Sequence, residues 1–441
     1  AANAPAAAIA AQHGLDIAVA RRDRTRLPQL YLRLAKANIV SGRLDQAERA
    51  LTAGMAAFDE TRARPTGITG IAAFDESWEL YETATQLAIR RGDRERAFAM
   101  AERGRARNVV ASSPITSLAN AQRSQAADQA IVAMNQFDDE LVLWVIRQQG
   151  TTIVRRPLRR ADARDIVARQ HDEIRLQTQQ PAASAALFDE ILRPLSATLE
   201  GATRIVFVPD TAYNDASFAA LWDRTTRRYA VEKWTVTGAP TVSLALSSAG
   251  RRSEAESVLV LSADANDHTA QLVASSYPGA TFVGGAEATR SRLLSHSSAI
   301  LHVAAHAHRN AAFPSWSQLR LNDEPGLKYS GTVVGRDIAT RQMPNTALVV
   351  LDELTPEQSY RTAGTLDLAT AFLAAGVPAV LGTLPGADER STRELMVGFH
   401  RQLTAQVPAA EALARVQRDA LQQNGRRLGA WTALVLYGSD R

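Results

Sequence analysis

The sequence predicts an α/β protein, a mainly parallel doubly wound sheet preceded by an all-α helical array. Three observations carry the prediction. From Arg204 onward, short apolar runs alternate with helical segments, the pattern of strand-helix-strand units that lay down parallel strands. Before residue 110 the pattern is helical and repeats itself. Between residues 298 and 356, two β-rich apolar runs flank a histidine-rich loop, and both read as buried central strands.

In the helical part, Tyr31, Gly42, Ala47 and Gly54 recur as Tyr81, Gly92, Ala97 and Gly104, an offset of 50. An aromatic opens one helix, a glycine sits in the turn, and an alanine marks the close crossing with the next helix. This resembles the tetratricopeptide helix-turn-helix, with the 59–74 segment stretching the usual spacing. Two generic helical hairpins would show the same small residues. Two repeats are too few for a stable solenoid, so upstream repeats or docking must complete it. The chain opens Ala1-Ala-Asn-Ala-Pro without Met, which reads as the carboxyl part of something longer.

Residues 111–130, rich in Ser, Asn and Gln, read as a linker between an array at 1–110 and an α/β domain at 131–441. A hairpin opens that domain, with Glu140 to Ile146 and Thr151 to Arg156 joined at Gln149-Gly150. Strands are expected at 204–209, 229–237, 257–261, 299–305, 346–351, 377–384 and 430–437. Helices are expected at 161–179, 183–199, 240–248, 288–294, 366–375, 389–404 and 409–423. The subregion 131–250 precedes the chemistry-bearing 251–441.

The central runs are Ala299 to His308 and Thr346 to Thr355, so His306 and the Asp352 to Thr355 segment would meet at the carboxyl edge, where α/β sheets place their chemistry. The order His306-Ala307, then Ser317-Gln-Leu319-Arg-Leu321, then Asp352-Glu353-Leu354 resembles the CHAT family, caspase-like peptidases of clan CD that commonly follow tetratricopeptide repeats. The family pattern there is His-Gly, Ser-x-Leu-x-Leu and Ser-Ala-Cys. Pro209-Asp210, Ser217 to Leu221, Gly364 to Leu384 and Trp431 to Gly438 extend the likeness, with Pro385 standing where the family has tryptophan. The resemblance implies a caspase-like sheet, His306 at the general-base position, Ala307 at the oxyanion N–H and Leu354 where the cysteine nucleophile belongs.

The chemistry is therefore in question. The chain has no cysteine at all, which excludes disulfides, thiolate metal sites and a thiol nucleophile. Thr355 is the nearest hydroxyl, but adjacent strand residues point to opposite faces. Asp352 and Glu353 would raise the basicity of His306 without supplying an attacking group. His302 reads as a core histidine and His308 as a solvated one. His302, His306, His308, Asp352 and Glu353 are metal-ligand types, but His302 and His306 would stand about 13 Å apart in a strand. His306 and His308 would share an ion only if the strand ended between them.

The reading is a catalytically inactive CHAT-type module that binds protein or peptide partners. The alternative is a hydrolase using His306 with a non-cysteine group or a metal. Trp316 and Tyr360 are the expected aromatic anchors at the cleft edge, and Tyr31 and Tyr81 those of the array. No cofactor is expected. The 50 basic residues, almost all arginine, are dispersed among 46 acids, so no nucleic-acid partner is expected. No apolar run approaches the roughly 20 residues of a membrane helix, and the expected setting is cytoplasmic.

Overall fold

In a computed structural model of the chain, the described residues are 3–62, 78–106, 115–247, 257–310, 314–353, 366–384, 389–432 and 434–438. The chain divides into two units, one of Ala1–Arg107 with Ile115–Ala119, the other of Asn108–Pro114 with Asn120–Arg441.

The first unit is built from helices Ala4–Ala20, Leu27–Val40, Leu44–Arg62, Trp78–Arg90 and Arg94–Arg105. The repeated residues do the same work in each copy. Gly42 and Gly92 take φ of 71° and 76°, left-handed turns that glycine enters without a steric cost. Ala47 and Ala97 are fully buried where helices cross. A β-carbon added to Gly54 would stand 2.9 Å from Cβ of Tyr31, and one on Gly104 would stand 3.1 Å from Cβ of Tyr81. At Gly54 the tyrosine-bearing helix passes too close for a side chain, and at Gly104 a side chain would have to push its neighbour by a few tenths of an ångström.

The second unit is α/β with a mixed, mostly parallel sheet. Its strands in chain order are β1 (Gln129–Gln136), β2 (Glu140–Arg147), β3 (Gly150–Pro157), β4 (Arg204–Val208), β5 (Trp222–Asp223), β6 (Arg228–Tyr229), β7 (Thr235–Gly238), β8 (Val258–Ser262), β9 (Thr281–Gly284), β10 (Ile300–His308), β11 (Gln318–Arg320), β12 (Thr332–Val334), β13 (Leu348–Glu353), β14 (Ala379–Thr383) and β15 (Leu434–Gly438). The main path runs β12-β11-β10-β13-β14-β15-β7-β4-β1-β2-β3, with β8 and β9 joined through β10, while β5 and β6 form a separate pair. β10 lies parallel to β8 and β13, and β13 parallel to β14. Both expected central strands are central.

Alternation sorts their side chains onto two faces. Val260, Ala304, Val350 and Leu381 join one core with Met396, Phe399 and Leu413 of helices Glu389–Thr404 and Ala409–Gln423. Leu261, Val303, Leu351 and Val380 join the other with Phe372 and Ile338 of helices Leu366–Ala374 and Gly335–Ala339. Helices on both faces make the sheet doubly wound.

Several expectations need revision. The run expected as one strand at 229–237 is broken by a helical turn, Ala230–Lys233, because Glu232 reaches back to the Tyr229 amide and closes a capping box. The run from Ala430 starts as a 3-10 turn and becomes a strand only at Leu434. β1, which lies between β2 and β4, was absent from the expected list although every residue of it is buried.

Candidate functional site

His302, His306 and His308 share one face of β10, since all three sit at even steps along the strand. Their surroundings differ. His302 is fully buried, whereas His306 and His308 are exposed. The strand was expected to end at Ala305, with His306 just past it at the carboxyl edge, but β10 continues through His308. The cause is a second partner, because His306 to His308 pair antiparallel with Gln318 to Arg320 of β11. His306 and His308 are thus two residues apart in one strand, and the strand end that metal sharing required does not fall between them.

Ala307 faces Leu319 across this pairing, and its methyl packs on the second core. Its backbone is not left-handed, so alanine in place of glycine brings no strain there. The described register of β10 on β13 ends at Ala305 and Glu353, one residue short of His306 and Leu354. Leu354, Thr355 and Tyr360 lie outside the described residues.

Asp352 approaches a histidine other than the one expected. Its Oδ2 stands 3.6 Å from Nε2 of His302, a nitrogen that makes no hydrogen bond among the described residues. On the other side, His302 Nδ1 lies 3.1 Å from Nε2 of His400, and His400 Nδ1 lies 2.7 Å from the Tyr277 hydroxyl. Burial, reinforced by His302, holds His400 well below the usual imidazole range, and burial pushes the Tyr277 hydroxyl up. A neutral imidazole donates from one nitrogen only. With the carboxylate beside His302 Nε2, the consistent assignment has His400 Nε2 donating to His302 Nδ1 and the Tyr277 hydroxyl donating to His400 Nδ1.

Just past β10, Arg309 holds a second cluster. Its Nη1 donates to both oxygens of Asp215 at 2.8 and 2.9 Å, and its Nε donates to Asp367 at 3.3 Å. Ser317, the serine of the Ser-x-Leu-x-Leu run, donates to Asp367 at 3.3 Å and accepts from the Asn310 amide at 3.0 Å. Burial pushes Asp367 upward and Arg309 works against it. The cluster ties the chain after β10 to the Asp215 segment and to the start of helix Leu366–Ala374. Trp316, beside the buried Ser317, is 42% exposed.

In the array, Tyr31 is half-buried, but Tyr81 is only 4% exposed and packs edge-on against Phe58 at 6.1 Å. Tyr81 is therefore a packing residue and not the surface anchor expected of it.

His400, Tyr277, Arg309, Asp215 and Asp367 were not among the expected site residues. His400 had left a signal, since it falls on the helical stripe of Leu395, Met396 and Phe399. The partners of Arg309 come from distant segments and left none.

This geometry, a mostly parallel doubly wound sheet with a histidine near the carboxyl end of one central strand and the next strand ending beside it, is that of the caspase-like clan CD fold. The CHAT domain profile matches residues 181–439, and the chain belongs to that family. Among solved structures, the Saccharomyces cerevisiae separase-securin complex is similar in fold, with a TM-score of 0.51 at 10% identity. That alignment covers 90% of this chain and 37% of the matched one. No curated protein sequence matches the chain.

Proposed function

We propose that this chain is a non-catalytic CHAT module that works by holding a protein or peptide partner. The observation that carries the reading is the complete absence of cysteine, and Leu354 is read as the residue at the family's nucleophile position. A caspase-like mechanism needs a thiolate to attack the peptide carbonyl, and His306 has no thiol to deprotonate. Without that nucleophile no acyl-enzyme forms, whatever base stands beside it.

The array at 1–110, read as tetratricopeptide-like, and the cleft edge with Trp316 are the proposed surfaces. Purified protein should leave a broad peptide library intact and should not react with cysteine-directed acylating inhibitors. Cleavage above background that disappears in His306→Ala would overturn the reading. Cleavage abolished by chelators would replace it with a metal-assisted hydrolase.

A further inference from the structure

The relay of His302, His400 and Tyr277 is able to run in two directions. As the tautomers stand, the Tyr277 hydroxyl donates to His400 Nδ1 at 2.7 Å, and His400 Nε2 donates to His302 Nδ1 at 3.1 Å. His302 therefore keeps its own N–H on Nε2. That atom is buried without a hydrogen bond, and Asp352 Oδ2 stands 3.6 Å from it, just beyond bonding reach.

The reverse order needs one more proton. The Nε2 proton of His400 passes to His302 Nδ1, the hydroxyl proton of Tyr277 passes to His400 Nδ1, and the added proton restores the hydroxyl. His302 is then a cation with both nitrogens protonated, while His400 and Tyr277 end neutral. The restored hydroxyl has an acceptor at hand, the His400 carbonyl oxygen at 3.4 Å. Both links to the His400 ring survive with donor and acceptor interchanged.

The surroundings decide which imidazole takes the charge. Burial keeps His400 unprotonated, and its ring lies edge-on to Tyr277 and Phe399. On the same helical stripe, Arg393 lies two turns before it. β8 sets Val260 beside His302 and, two residues along, Ser262 bonded to Asp267. Along β10 itself, the next histidine, His306, is exposed. β13 sets Val350 beside His302 and Asp352 two residues along, so Asp352 is the anion at hand for a charged His302.

We propose that the relay is a two-state proton switch, in which one proton makes His302 a cation, reverses both hydrogen bonds and draws the Asp352 carboxylate onto His302 Nε2. Asp352 and Glu353 end β13, so the closed state clamps that strand end against β10. Acid closes the clamp and neutral solution releases it. The switch goes beyond the partner-holding reading and does not rest on it.

The test is imidazole nitrogen NMR of the full chain labelled with heavy nitrogen in histidine, titrated from about pH 8 to about pH 5, which brackets an ordinary histidine. Single His302→Gln and His400→Gln variants assign the two rings. His400 should stay singly protonated while its proton moves from Nε2 to Nδ1, at the same midpoint at which His302 gains its second proton. A His400 ring that keeps one tautomer throughout, becomes doubly protonated, or swaps without His302 overturns the switch. Asp352→Asn keeps the shape and removes the charge, so the swap should move down by about one pH unit or more. An unchanged midpoint in that variant overturns the clamp.

Discussion

Two polar clusters bear on β10, one midway along the strand and one just past its end, and they accommodate burial in opposite ways. The His302, His400 and Tyr277 cluster is linked by two directed hydrogen bonds, with His400 kept unprotonated by burial. The Arg309, Asp215 and Asp367 cluster is an ion-pair cluster in which Asp367 is buried and Arg309 and Asp215 are half-buried, with two carboxylates on one guanidinium and Ser317 supplying a further bond to Asp367. A neutral relay loses its parts one at a time. A charged cluster fails together, because removing the cation leaves carboxylates facing each other in a poorly solvated place.

The largest effect should therefore come from Arg309→Met, which removes the cation while keeping much of the volume. A loss of about 3 to 5 kcal/mol in urea unfolding is expected. A loss below about 1 kcal/mol would mean that Asp215 and Asp367 are well hydrated and that the contrast between the clusters fails. Tyr277→Phe takes one donor from the neutral relay and leaves His400 Nδ1 without a partner, at a cost of about 1 to 3 kcal/mol. A melting temperature equal to wild type would contradict the relay.

A third effect is read against pH. The folded chain keeps His400 unprotonated below its ordinary value of 6.5, while the unfolded chain binds that proton. The unfolded state then holds more protons, so stability is full above about pH 6.5 and falls as pH drops below it, by at most about 1.4 kcal/mol per unit for one proton. His296, held down to about 4 by burial, adds a slope of the same sign. Unfolding curves between pH 7 and 5 should therefore be steeper in wild type than in His400→Gln, and identical slopes would remove His400 from the account. The smallest effect belongs to His306→Ala, an exposed strand position, where a change within about 0.5 kcal/mol is expected in the same melts.

The sequence spelled out whatever depends on short-range pattern. Gly42 and Gly92 announced turns, Ala47 and Ala97 announced crossings, and the apolar runs at 299–305 and 346–351 announced central strands. β1 escaped because Gln129-Ala-Ile-Val-Ala-Met-Asn-Gln136 mixes helix-favouring residues with polar ends, and only its place between β2 and β4 makes it a strand. The site was legible in the same measure. His306 follows from its strand, whereas Arg309 depends on Asp215 and Asp367, 94 and 58 residues away, and no local pattern encodes that meeting.

The two-part pairing of β10 also has a dynamic consequence. Ile300 to Ala304 are held between β8 and β13 inside the sheet, while His306 to His308 pair with a three-residue strand whose own neighbour, β12, is equally short. Amide exchange along this one strand should therefore fall in protection within a few residues, from the slow regime of global unfolding to the faster regime of local fraying. Opening the end of β10 that carries His306 then means lifting Leu319 and Val333 of its small hairpin out of the second core, while the strand's root between β8 and β13 stays paired.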